Sequence, residues 1–201
     1  MAGLLGHKSG LLSTVVNYIG DTEVPATHTT PDRIQLNALL ARLVAEGCEY
    51  CFMEVSSHSV VQNRIAGLMF CGGIFTNITH DHLDYHKTFD EYIKAKKRFF
   101  DNLPADAFAI TNIDDRNGMV MLQNTKAKVV TYSLRSMADM RCRIVESHFD
   151  GTLLNLDGVE VWTRLIGEFN AYNLLAIYST LISLGFEKDD VLTKLSEVTA
   201  V

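Results

Sequence analysis

Apolar residues along the chain follow two spacings. Short unbroken runs at 50–55, 73–78, 107–113 and 128–132 have the length of strands buried on both faces, and 10–19 reads as one more strand ahead of them. Between these runs the spacing turns helical. Leu36, Leu39, Leu40, Leu43 and Val44 recur on one face, with Thr30 as the predicted N-cap, Pro31 in the first turn and Gly47 as the stop. Residues 59–68 and 114–123 also read as helices, and 88–103 opens on the capping box Thr88-x-x-Glu91. Strand and helix in alternation mean parallel pairing through crossovers, hence a sheet covered on both faces.

The pattern changes after 135. Alternating runs at 141–149, 152–156 and 159–165 are separated by Asp150-Gly151 and Asp157-Gly158. Asp-Gly between alternating runs signals hairpins. Helices at 168–184, stopped by Gly185, and at 188–197 finish the chain. The predicted fold is α/β. A mostly parallel sheet with helices on both faces spans 1–135, a small antiparallel three-stranded meander spans 141–166, and terminal helices span 168–201.

Composition narrows the functions. The 201 residues carry 18 basic and 24 acidic side chains, a formal net charge of −6. That balance argues against a general nucleic-acid binder, which needs a basic footprint. No apolar run approaches the ~18 residues that cross a bilayer, so no membrane insertion is expected. Residues 1–10 do not resemble a signal peptide. The four cysteines then read as reduced thiols of a cytoplasmic protein. Cys48-x-x-Cys51 lies between a helix stop and a strand, not at a helix N-terminus where a thiolate is stabilised, and reads as structural.

In open parallel sheets, ligands bind beyond the carboxyl ends of the strands, which makes 27–30, 54–58, 76–86 and 112–115 the first suspects. Glu54 stands among apolar neighbours at a strand end, where a carboxylate must be paired, protonated or metal-bound. Lys96 falls inside the stripe of Phe89, Tyr92, Phe99 and Leu103. Burial disfavours the ammonium, and a neutral amine can add carbon dioxide to give an anionic carbamate that ligates metal. The alternative is that Lys96 snorkels to water or pairs with Asp81 or Asp84. His80, Asp81, His82, Asp84 and His86 offer ligands for a divalent ion, or a solvated loop. Ser56 suits a helix cap or a phosphate contact, and Arg64, near Gln62, a carboxylate or phosphate contact or a surface charge. Asn170 and Asn173 share a helix face, exposed or presented to a heterocycle.

Taken together, Ala26-Thr-His-Thr-Thr-Pro31, Met53-Glu-Val-Ser-Ser-His58, Val61-Gln-Asn-Arg64, Asp81-His-Leu-Asp-Tyr-His86, Ala95-Lys96, Thr111-Asn-Ile-Asp-Asp115 and Gly167-Glu-Phe-Asn-Ala-Tyr-Asn173 resemble the Mur ligases, in order and over nearly the whole chain. The resemblance implies the central ATPase domain of a three-domain ligase, and the branch that adds a diamino acid (meso-diaminopimelate or L-lysine) to a UDP-muramoyl dipeptide. It implies ATP and magnesium as cofactors, with the substrate carboxylate activated as an acyl phosphate. Glu54, His82 and a carbamylated Lys96 then serve metal and catalysis. His28, Thr29, Thr30, Ser56, Gln62 and Arg64 contact the muramoyl dipeptide, and Asn112, Asn170 and Asn173 the nucleotide. The protein is expected to be a monomer.

One departure matters. The family's phosphate-binding G-x-x-G-K-T loop, expected one helix ahead of the strand at Gly10, is not in this sequence. The UDP-binding N-terminal domain and the C-terminal domain are expected to be missing as well, so the chain reads as a piece truncated at both ends and without turnover by itself. Two other readings stay open. One is a catalytically dead binding module on the same fold. The other is a metal-dependent hydrolase built on Glu54, His80, His82 and His86.

Overall fold

The computed structural model describes residues 1–78 and 88–198. A short turn of 3-10 helix, Ala2–Leu5, leads into strands β1 (Ser9–Leu12), β2 (Val16–Ile19) and β3 (Thr22–Pro25). Helix α1 (Arg33–Ala45), strand β4 (Tyr50–Met53) and the short helix α2 (Ser57–Val61) follow, then β5 (Gly72–Phe75). Next come α3 (Phe89–Asp101), β6 (Phe108–Asn112), α4 (Gly118–Met121) and β7 (Lys128–Ser133). Strands β8 (Met140–His148), β9 (Gly151–Leu156) and β10 (Val159–Thr163) precede α5 (Glu168–Ser183) and α6 (Lys188–Leu195).

The α/β class holds, with two sheets: one of four strands in the order β3-β2-β1-β4, one of six in the order β10-β9-β8-β7-β6-β5. Pairing is parallel for β1 with β4, β5 with β6, β6 with β7 and β7 with β8. The meander of β8, β9 and β10 is antiparallel as predicted, but it is not a separate layer. β8 pairs with β7 through Tyr132–Met140 and Ser133–Arg141, so the meander extends the parallel sheet. Adjacent residues of β6 face opposite cores. Ile110 packs with Tyr132, Leu154 and the α5 residues Leu174 and Leu175, whereas Ala109 packs with Phe75, Phe100 and Met121. That alternation is why both faces of the sheet need helices.

Four of the departures from the sequence reading have a clear local reason. The run at 10–19 is a hairpin, not one strand. Ser13 Oγ donates to Val16 O at 2.6 Å and Ser13 N to Asn17 Oδ1 at 3.0 Å, so side chains satisfy a reversal that alternation does not reveal. Helix α1 is capped by Asp32, whose Oδ1 accepts from Ile34 N and Gln35 N at 2.8 and 3.0 Å; Thr30 lies outside the helix. The helix expected to run from 59 to 68 stops at Val61, because Asn63 (φ 53°) and Gly67 (φ 89°) take left-handed conformations. Finally, Asp157-Gly158 makes a two-residue turn with both φ positive, but Gly151 is already in β9. A Cβ on Gly151 would sit 2.4 Å from Thr163 O, so close approach explains that glycine.

Among the described residues, β4 pairs only with β1, and β5 only with β6. Their free edges open on one cleft of about 450 Å³, lined by Tyr50 to Met53 on one side and Gly72 to Phe75 on the other, with Lys96 and Phe99 of α3 also on its wall. A Cβ on Gly73 would lie 2.7 Å from Phe99, so the missing side chain is what lets α3 lie this close to β5.

Candidate functional site

The carboxyl ends of β1 and β4 gather a chain of polar contacts. Glu54 continues β4 by donating its N–H to Leu12 O at 2.9 Å. Its exposed carboxylate oxygen Oε2 accepts from Thr14 N at 3.0 Å and from the Thr14 hydroxyl, whose oxygen in turn accepts from the Thr29 hydroxyl at 3.1 Å. The apolar surroundings of Glu54 in sequence therefore do not bury it; strand alternation turns its side chain toward Thr14. Thr30 is only 1% exposed. Its hydroxyl donates to Glu54 O at 2.8 Å and accepts from Ser56 N at 3.1 Å. Ser56 caps α2 by accepting from Ser59 N at 3.2 Å, as one of its two sequence readings had it.

Arg64 closes this chain. Its Nη1 donates to Thr30 O at 2.7 Å, and its Nε and Nη2 donate to Gln62 Oε1 at 2.8 and 2.6 Å. His28, Arg33, Gln62, Asn63 and Arg64 line an open pocket of about 390 Å³ together with Asp32. Of the sequence candidates, His28, Thr29, Thr30, Glu54, Ser56, Gln62 and Arg64 are thus gathered at one rim. Thr14 belongs to the same rim and was missed, because it falls in a run read as continuous strand.

Lys96 lies on α3, whose first turn is fixed by Thr88 Oγ1 accepting from Glu91 N at 3.2 Å. Of the predicted stripe, Tyr92 and Leu103 are buried and Phe89 and Phe99 half-buried, with Ala95 and Phe100 buried beside them. Lys96 is half-buried on the cleft wall, its Nζ 5.2 Å from the Tyr92 ring centroid. Burial pulls its amine below the ordinary lysine range. Among the described residues no carboxylate pairs with it, whereas the adjacent Lys97 reaches Asp101 at 2.6 Å. Lys96 shares the cleft with Met53 and Val55, which flank Glu54; Glu54 itself faces Thr14. His80, Asp81, His82, Asp84 and His86 lie outside the described residues. Among the described residues, no three His, Cys, Asp or Glu side chains form a metal-holding group.

The rim of the larger sheet is organised by carboxylates. Asn112 Nδ2 donates to Thr76 O at 2.9 Å and its Oδ1 accepts from Asp114 N at 3.0 Å, so both ends of this amide tie strand ends together. Asp115 accepts from Ile78 N at 3.0 Å. Asp114 accepts from Ser133 Oγ (2.6 Å), Leu134 N (2.8 Å), Tyr172 Oη (2.9 Å) and Arg135 N (3.2 Å). Burial raises its pKa, but these donors together outweigh burial and hold it below the usual carboxylate value. Burial, and then the bond to Asp114, push Tyr172 up to about 12. Asn170, half-buried, donates to Ile166 O at 2.8 Å, and Asn173 is exposed one turn on. Tyr172 lies between them and anchors α5 to the rim; nothing in the sequence around it gave a sign of that. Solvent reaches Cys51 on the cleft wall, yet the surrounding protein pushes its thiol up to about 11, which agrees with a structural Cys48-x-x-Cys51.

Fold and rims together define a class: an α/β domain with helices on both sheet faces and polar side chains collected where the parallel strands end. Residues 1–181 match the Mur ligase middle domain, and the chain belongs to the Mur ligase family. It is 61% identical over 196 residues to a UDP-N-acetylmuramoyl-L-alanyl-D-glutamate--2,6-diaminopimelate ligase of Cytophaga hutchinsonii, covering 98% of this chain and 40% of that protein. It is 58% identical over 196 residues to the ligase of the same name from Bacteroides fragilis, with 98% and 40% covered. A solved structure of a ligase of that name superposes with a TM-score of 0.89 at 27% identity, covering all of this chain and 43% of that one. The chain spans about two fifths of the length of the curated relatives it matches. No helix among the described residues is long and apolar enough to cross a membrane.

Proposed function

We propose that this chain is the central domain of a cytoplasmic, monomeric ligase that joins 2,6-diaminopimelate to UDP-N-acetylmuramoyl-L-alanyl-D-glutamate, driven by ATP. The substrate carboxylate takes a phosphoryl group, and the incoming amine then displaces phosphate. The observation that carries this reading is Lys96: a desolvated amine on the cleft wall, with no carboxylate partner among the described residues, beside a rim of substrate-type contacts. Such an amine suits carbon dioxide addition, which converts a costly buried cation into an oxygen ligand. Glu54 suits a separate ion at the rim, since Thr14 occupies Oε2 and the exposed carboxylate retains Oε1. His82 is assigned beside Lys96, to the second ion, by its place in the family motif. Magnesium, when bound, supplies charge neutralisation that lets two anions approach.

The chain's own residues bind and orient. Thr29, Ser56, Gln62 and Arg64, with His28 at the pocket mouth, hold the dipeptide, and Thr30 fixes their backbone from inside. Asn170 and Asn173 present amides to the nucleotide, and Asn112 braces the loop beneath them. Without a phosphate-binding G-x-x-G-K-T loop, the 201 residues are expected to release no ADP by themselves.

The test is ADP release by the full-length protein. It is expected to require magnesium, UDP-muramoyl dipeptide and diaminopimelate together, with none from the 201-residue chain. Nucleotide or dipeptide binding without turnover by the full-length protein would point to an inactive binding module. Zinc-dependent hydrolysis without ATP would point to a hydrolase.

A further inference from the structure

We infer that Asn63 is a positioning residue that locks the dipeptide-contacting turn to the helix carrying Lys96; the inference rests on the function proposed above. Asn63 sits between Gln62 and Arg64 in a left-handed conformation, φ 53°, which few side chains other than Asn and Asp tolerate. That conformation turns its two oxygens toward different helices. The backbone carbonyl accepts from Arg33 Nη2 of α1 at 2.9 Å, and the side-chain Oδ1 accepts from Arg98 Nη2 of α3 at 3.2 Å. Arg98 is two residues beyond Lys96 on the same helix, and α2 packs directly on α3.

One residue thus joins three elements: the helix behind the 27–30 loop, the turn presenting Gln62 and Arg64, and the helix presenting Lys96. Both contacts are charge-assisted, which makes them stronger and more directional than neutral ones. They also set a relative placement that core packing does not. The turn at 62–67 has one half-buried apolar residue, Ile65, against an exposed Ala66 and Gly67, so nothing apolar fixes it as firmly. A shift of the turn against α3 would change the distance between bound dipeptide and the Lys96 side, and reacting groups are sensitive to displacements of about 1 Å.

The experiment uses the full-length ligase with steady-state kinetics and thermal unfolding on N63G, N63D, R98A and N63G/R98A. Glycine keeps the left-handed backbone and the carbonyl for Arg33 and deletes only the bond to Arg98. N63G is expected to lower kcat/KM for the muramoyl dipeptide about five- to tenfold, with the KM for diaminopimelate and the unfolding temperature unchanged. R98A should lose about as much, and the double variant no more than either single one, since the two residues act through one bond. N63D, which keeps an acceptor and tolerates the backbone, should recover activity to within about twofold. Unchanged kcat/KM in N63G, additive losses in the double variant, or a loss that follows a lowered unfolding temperature and is not recovered by N63D would each overturn the inference. A wild-type protein lacking dipeptide-dependent turnover would overturn the proposed function and this inference with it; normal wild-type turnover with an unaffected N63G overturns the inference alone.

Discussion

The two sheets are held together by different physics. The six-stranded sheet from β5 to β10 lies between two apolar cores, one with Leu154, Leu156, Leu174, Leu175 and Leu181, the other with Phe75, Phe100, Ala109 and Met121. The four-stranded sheet buries Leu12, Ile19, Leu36 and Leu43, and none of these joins either core cluster. Yet it carries Thr29, Glu54 and the Thr30–Ser56–Arg64 chain of contacts. The rim contacts are therefore braced by polar bonds on the thinner half; in the function proposed above that half holds the dipeptide, and the larger, more apolar half faces the nucleotide. Lys96 stands at the seam, on a helix packed against the larger sheet but facing the cleft that separates it from the smaller one.

The largest expected effect is at that seam. Lys96→Ala in the full-length ligase should reduce ADP release by about a thousandfold or more, roughly 4 kcal/mol of transition-state stabilisation. Short carboxylic acids should restore part of it by standing in for the carbamate. No rescue, together with an unmodified ammonium in a high-resolution map of the enzyme, would remove the carbamate from the account.

Core truncations test whether the two halves are unequal. Leu174→Ala, in the core between the larger sheet and α5, should cost about 3–4 kcal/mol and destabilise the whole domain. Leu36→Ala, equally buried but in the thinner half, should cost about 2–3 kcal/mol, because loosely packed surroundings collapse more easily around a cavity. Hydrogen exchange should then quicken in β1, β2 and β4 well before β6 and β7. Equal loss of protection in both sheets would mean that they unfold as one unit and that the contrast is only one of composition.

Legibility followed the same division. Unbroken apolar runs located β4, β6 and β7 to within a residue or two, because a run of that length between turn signals reads as a strand, although β4 lines the cleft and none of its residues is fully buried. The meander was readable from its two Asp-Gly pairs, although Gly151 is there for close approach to Thr163 and not for the turn. The first hairpin was not readable, because its reversal depends on Ser13 and Asn17 bonding to backbone inside an otherwise apolar stretch. At the site, Lys96 stood out because a charge broke a helical stripe. Thr14, Asn63 and Asp114 carry their roles through hydrogen bonds to residues distant in sequence, and no periodicity records those. The family resemblance, not spacing, singled out Gln62 and the asparagine pair from their blander readings.

A smaller effect is expected at Asp114. Its pKa is held below the ordinary 3.8, so the sign is that of a stabilising carboxylate. The contribution is fully present above the unfolded-state pKa and is lost as pH falls through the depressed folded-state value. Asp114→Asn should cost about 1–2 kcal/mol at neutral pH, discounted for partial solvent screening. It should also flatten the loss of stability below about pH 4, since the residue that had to be protonated is gone. Urea melts at pH 7 and pH 3 measure both. The effect should be greatest where α5 meets the rim, because Tyr172 loses its acceptor. A variant as acid-sensitive as the wild type would assign the acid response to other carboxylates.

The smallest effect separates cap from brace in the thinner half. Asp32→Ala removes the acceptor of Ile34 N and Gln35 N and should cost about 1 kcal/mol, with fraying confined to the first turn of α1. Thr30→Val removes no cap. It leaves Ser56 N and Arg64's partner loop without the buried hydroxyl that joins them, so it should disturb dipeptide binding more than helix content. Circular dichroism for the helix and dipeptide titration of the full-length protein give the two readouts. If Thr30→Val frayed α1 and Asp32→Ala weakened binding, the cap would lie where the sequence pattern first put it, and the polar brace of the smaller sheet would lose its central member.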